Sequence, residues 1–106
     1  MCQIYAKADA ILYESRTRSL RIHGVLTTIR LENLFWDVLF EMATREGFTT
    51  NGLIVKLHDE LAEEERDAET NFASFLRVCC LRFLSILAGR IREPEAVPDV
   101  PLRAVR

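Results

Sequence analysis

The chain has 106 residues, 49% hydrophobic and 28% charged, a balance that excludes the disordered and fibrous classes and fits one ordinary soluble domain. Its net charge of -2 does not announce a nucleic-acid binder, because such domains usually carry a basic surplus. No run of apolar residues reaches the roughly 18 to 20 that a membrane span requires.

In chain order, the opening MCQIYAKADAILYESR carries Lys7, Asp9 and Glu14 and lacks the apolar stretch of a signal peptide, so residues 1–17 are expected to be an N-terminal extension. From Arg18 to Leu31 the sequence RSLRIHGVLTTIRL alternates. Leu20 and Ile22 alternate with Arg21, and later Thr27, Ile29 and Leu31 alternate with Thr28 and Arg30, which is the period of a strand in each half. His23-Gly24 stands between the near-copies SLRI and TIRL, so the segment is either one hairpin or two separate short strands.

Residues 32–46 then place Phe35, Val38, Leu39 and Met42 at helical spacing, with Gly47 as the terminator. Thr49 is positioned to cap a second helix, from about residue 50 to 65, whose stripe is Leu53, Ile54, Leu57 and Leu61. A third helix is expected within residues 67–90, capped by Thr70 or Asn71 and ended by Gly89. It is apolar apart from Arg77 and Arg82, so most of its surface should be covered. Residues 91–106, with Pro94, Pro98 and Pro101, read as an extended tail.

Charge is segregated along these elements. Residues 1–31 hold five positive and two negative side chains, residues 32–70 three and eleven, and residues 71–106 six and three. Net charges of +3, -8 and +3 therefore hide behind the total of -2. Cys2, Cys79 and Cys80 are an odd set with no CxxC and no His at ligand spacing, so no disulfide framework, metal site or cofactor is expected. Adjacent Cys79 and Cys80 read as small buried hydrophobes. Reduced thiols fit the cytoplasm. His23 and His58 have no nucleophile or carboxylate team, which argues against an enzyme.

A strand followed by two helices leaves an apolar strand edge that invites a second copy of itself. The run TTIRLENLFWDVLFEMATREGFTTNGLIVKL resembles the ribbon-helix-helix fold of the Arc and MetJ repressor class. The flanking SLRIHG and NFASFLRVCCLRFL resemble a bacterial subfamily with an added N-terminal strand and C-terminal helix. In that subfamily Arg-Ser-x-Arg-x-x-Gly precedes a Thr-Ser-x-Arg-Leu-Glu ribbon and Phe-Trp begins the first helix. Here these positions are Arg18 to Gly24, Thr27 to Glu32 and Phe35-Trp36, with Thr28 where Ser is commoner and Leu26 where a polar residue is expected.

The resemblance covers about residues 16 to 84. It implies a mainly α fold with a short β-ribbon, an intertwined homodimer with a ribbon-helix-helix domain over residues 18–66, and an extra C-terminal helix. It also implies that Thr28 and Arg30 read base edges in the major groove. Thr49, Thr50 and Asn51 would hold a phosphate at the start of the second helix, with Arg18 and Arg21 adding phosphate contacts. Ile29, Leu31, Phe35, Trp36 and Leu39 would form the dimer core.

Plainer explanations stand beside each of these. Arg30 could be a solvated residue paired with Glu32, Thr49 a helix cap only, and Arg16, Arg18 and Arg21 guards of a strand edge. The function implied is a transcriptional repressor or autoregulator that binds double-stranded DNA. The alternative is an interaction module or antitoxin-like protein of the same fold with weak or no DNA binding, which meets a second protein through the C-terminal helix or tail. The -8 over the first two helices favours that alternative, since acidic flanks repel phosphates.

Overall fold

The computed structural model describes residues 6–64 and 71–90. The expected tail and the acidic residues 65–70 lie outside the described residues.

The alternating segment folds as one hairpin. Strand β1 (Ser15–Ile22) pairs antiparallel with strand β2 (Val25–Glu32), in a register that sets Thr17 opposite Arg30, Ser19 opposite Thr28 and Arg21 opposite Leu26. Its two-residue turn has His23 at φ 51° and Gly24 at φ 83°. Two successive left-handed residues match the twist of the strands they join. Gly24 adopts this conformation freely, whereas His23 bears a steric cost of about 1 kcal/mol or more. Two bonds hold the turn in place: Arg21 Nη1 donates to the Gly24 carbonyl at 3.1 Å, and His23 Nε2 lies 2.6 Å from Asp59 Oδ1. β1 begins at Ser15, upstream of the expected start at Arg18, because Ser15 and Arg16 still find partners in Glu32 and Leu31.

Before the hairpin, Ala10–Tyr13 make a short 3-10 turn capped by the Asp9 carboxylate, which accepts from Ile11 N at 3.2 Å. This turn docks on the start of helix α1 (Asn33–Glu46): Asn33 N donates to the Glu14 carbonyl and Asn33 Nδ2 to that of Ile11, both at 2.8 Å. The helix start thus acquires partners although Glu32 gives it no side-chain cap. At its other end Gly47, at φ 78°, lets Phe48 N reach the Ala43 carbonyl at 2.8 Å and turns the chain into helix α2 (Thr50–Glu63). Thr49 caps α2, its hydroxyl accepting from Gly52 N at 3.0 Å. Helix α3 (Phe72–Leu87) follows, with Asn71 at the cap position.

One core unites these elements. Leu20, Ile22, Ile29 and Leu31 from the inner face of the hairpin meet Trp36, Val38 and Leu39 of α1, Leu53, Ile54 and Leu61 of α2, and Phe72, Leu76 and Cys80 of α3. Each such large side chain removed from water contributes about 1.5 to 3 kcal/mol before entropy is charged against it. Trp36 also satisfies its indole N–H, which donates to the Arg16 carbonyl at 2.9 Å. α3 is tied to the end of β2 by Arg77 and Glu32, whose Nε–Oε1 and Nη2–Oε2 distances are 2.9 and 3.5 Å.

Candidate nucleic-acid interface

Strand alternation sorts the hairpin into two faces of different chemistry. The apolar parity is committed to the core, so the other parity faces solvent with Ser15, Thr17, Ser19 and Arg21 on β1 and Leu26, Thr28 and Arg30 on β2, all exposed. The Ser19 and Thr28 hydroxyls meet across the strands at 3.1 Å. Arg21 is held at the turn by its bond to Gly24. The outer face therefore displays hydroxyls and two guanidinium groups on a stiff support.

The one carboxylate on that parity is Glu32, at the end of β2, and it is engaged elsewhere. The Arg77 guanidinium holds the Glu32 carboxyl below its ordinary value by hydrogen bonding, with a backbone hydrogen bond acting in the same direction. Among the described residues Arg30 forms no ion pair. The plainer explanation of Arg30 as the partner of Glu32 thus loses its partner to Arg77.

Arg18 lies on the opposite parity from Arg21. It is half-buried, with its guanidinium 4.7 Å from the centre of the Trp36 ring, and Arg16 sits 5.9 Å from the same ring. These two arginines cover the edge of the core as cations over an indole face.

Beside the hairpin is an open groove of about 660 Å3, lined by residues 25–30 of β2, His58 of α2 and the first turn of α3. In a two-residue hairpin Ile22 and Val25 exchange both backbone bonds, so Leu26, Thr28 and Arg30 aim their N–H and C=O groups away from β1. That free edge borders the groove. Among the described residues His58 Nδ1, buried there, has no hydrogen-bond partner, and its ring stands edge-on to Phe72 with centroids 5.1 Å apart.

The remaining candidates are dispersed. Thr49 and Asn51 are exposed and Thr50 is half-buried at the start of α2; no hydrogen bond among the described residues joins them to the sheet. The hairpin tip touches this helix at Asp59, about 15 Å further along its axis. Ile29, Leu31, Trp36 and Leu39 are at most 3% exposed within the single chain, and Phe35 is half-buried against the same core. Burial pushes the Cys79 thiol up to about 11 and the Cys80 thiol up to about 12, so both are inert apolar fillers at neutral pH. Among the described residues no group of three His, Cys, Asp or Glu side chains could hold a metal ion, and no helix is long and apolar enough to cross a membrane.

The order of hairpin, helix, glycine turn and helix agrees with a family model. The description of that model is ribbon-helix-helix domain, and it matches residues 15–84. The chain belongs to the ribbon-helix-helix family. Members are typically non-enzymatic regulators that bind DNA as dimers, antitoxin-like proteins among them. A solved structure of an uncharacterized protein from Bordetella pertussis Tohama I is similar, at 49% identity over 97% of this chain and 80% of that chain, with a TM-score of 0.78. No curated protein matches.

Beside the expected Thr28 and Arg30 the outer face sets Ser19 and Thr17 of β1, which the pattern of β2 alone does not bring in. The signal was present. SLRI and TIRL are near-copies about His23-Gly24, and a two-residue turn between them fixes Ser19 opposite Thr28.

Proposed function

We propose that this ribbon-helix-helix protein is a cytoplasmic bacterial repressor or autoregulator that binds double-stranded DNA as an intertwined homodimer, through the outer face of its hairpin. One observation carries this reading. Among the described residues, the face that displays Thr28 and Arg30 is free of unpaired carboxylates, although the chain as a whole is acidic. Two β2 strands pair antiparallel along their free edges, and each fills the groove beside the other. The ribbon then enters the major groove. Arg30 donates two bonds to a guanine edge, Thr28 offers one hydroxyl or a methyl contact to thymine, and Thr49, Thr50 and Asn51 meet a phosphate with the positive end of α2.

Closing the ribbon gives the free N–H and C=O groups of Leu26, Thr28 and Arg30 their partners and brings Ile29, Leu31, Phe35, Trp36 and Leu39 next to the two-fold axis. Sedimentation at micromolar concentration should give a dimer, and a folded monomer contradicts the reading. A duplex of random sequence should bind with an affinity that falls steeply with salt. No binding at any salt contradicts it too.

A second reading rests on a different surface. Val78, Leu81 and Leu84 of α3 are 52%, 54% and 40% exposed and lie along one side of the helix, as an antitoxin-like interaction module would present them. On this reading the acidic helices repel DNA, and the random duplex stays free.

A further inference from the structure

We infer that strand β1 contacts the DNA backbone as a rim, with Thr17, Ser19 and Arg21 meeting phosphates on either side of the groove that β2 reads. The inference rests on the dimeric DNA-binding reading above and adds to it a strand that a plain two-stranded ribbon lacks.

Its basis is width. Strands in a sheet lie about 4.8 Å apart. When β2 pairs with its copy along the free edge, β1 stays bonded to the other edge, and the order becomes β1, β2, β2 of the partner, β1 of the partner. The two central strands then run about 2.4 Å to either side of the two-fold axis, and the two outer strands about 7.2 Å from it. The major groove is about 12 Å wide, so its walls stand about 6 Å from the same axis. The central pair fits between the walls, and each β1 comes to lie over a sugar-phosphate ridge.

The side chains suit that position. The outward parity of β1 holds Ser15, Thr17, Ser19 and Arg21, all exposed, with no carboxylate among them. Short hydroxyls can donate to a phosphate oxygen where the strand passes close, and Arg21 can supply charge at the end nearest the turn. Ser19 has a second task. Its hydroxyl is 3.1 Å from that of Thr28, so a phosphate bound by Ser19 fixes the rotamer of the neighbouring side chain that faces the bases. Ser19 is in this respect a positioning residue.

The test uses the full chain, a duplex of random sequence and a duplex selected from a randomised pool, each titrated by fluorescence anisotropy across a salt series. Arg21→Gln should weaken both duplexes by the same factor, about tenfold, and lower the slope of log affinity against log salt by about 2 per dimer. Thr17→Ala should weaken both by a few-fold, and Ser19→Ala should do the same and in addition lower the preference for the selected duplex, neither changing the melting temperature of the free protein by more than a few degrees. Neutral methylphosphonates placed on both strands outside the base contacts should weaken the wild type at least as much as Arg21→Gln does, and should weaken Arg21→Gln by a smaller factor, through its remaining Thr17 and Ser19 contacts.

Failure takes two distinguishable forms. If the wild type binds both duplexes and Arg30→Ala loses their discrimination, yet all three β1 variants match the wild type in affinity and salt slope, the rim is wrong and the ribbon stands. If the wild type binds neither duplex, the ribbon and the rim fall together.

Discussion

The hairpin and the helices on which it rests are built from opposite electrostatics. The outer face of β1 and β2 presents Arg21, Arg30 and a row of hydroxyls, and Glu32 at its end is neutralised by Arg77. Helices α1 and α2 carry Asp37, Glu41, Glu46, Asp59, Glu60 and Glu63 against Arg45 and Lys56. A total of -2 averages the two and describes neither. For a protein that meets a polyanion the local sign matters. On the proposed function this local contrast steers the approach, since a polyanion is drawn to the hairpin and repelled by the acidic helices.

The contrast can be broken most severely from the side that both regions share. Leu31 is fully buried where the inner face of β2 meets α1, so Leu31→Asp puts a charge into the core without a partner, at a cost of several kcal/mol. Loss of the cooperative thermal transition is the expected result, and a native-like melt would mean that β2 does not anchor the core.

A smaller effect separates the two regions. Thr49→Ala removes the hydroxyl that accepts from Gly52 N and should cost about 1 kcal/mol of stability. On the proposed function it also weakens binding to all DNA sequences alike, because the start of α2 meets only phosphate. A change in sequence preference would show instead that this helix end reads bases.

The smallest effect concerns the point where sheet and helix charges meet. Glu32 has its pKa depressed by Arg77 in the folded state. Its contribution is therefore present above the unfolded carboxylate value, near pH 4.5, and is lost as the pH falls through the lower folded value. The pair is about one-third exposed, so solvent screening keeps the contribution below about 1 kcal/mol. Denaturant melts of Glu32→Gln should show a shallower loss of stability below pH 4.5 than the wild type. Parallel curves would mean that the pair adds nothing to the link between β2 and α3.

Much of this was legible in the sequence. The parity of Ile29 and Leu31 against Thr28 and Arg30, the Thr49 cap and the Gly47 terminator all follow from local rules that act within a few residues. The two-residue turn was legible as one of two options, and what settles it is a non-glycine residue, His23, in a left-handed conformation held by Asp59, far along the chain. Long-range pairing is where local pattern ran out. Glu32 sits two residues from Arg30, an apparent neighbour on the same strand face, yet its partner is Arg77 on a helix 45 residues away. Local pattern likewise does not show that the Arg18 guanidinium lies over the indole of Trp36, a contact between the first strand and a helix 18 residues on.

If the outer face of the hairpin reads DNA, Arg30 is its sharpest point. The direct measurement is competition of a selected duplex against random duplex for the wild type, Arg30→Ala and Arg30→Lys at one fixed salt concentration. Arg30→Ala should lose about 1 to 3 kcal/mol per half-site on the selected duplex and much less on the random one. Arg30→Lys should keep the charge and most of the non-specific affinity while losing the fork that engages two acceptors. If both variants discriminate between the duplexes as the wild type does, the hairpin does not read bases through Arg30, and the exposed side of α3 becomes the surface through which this protein acts.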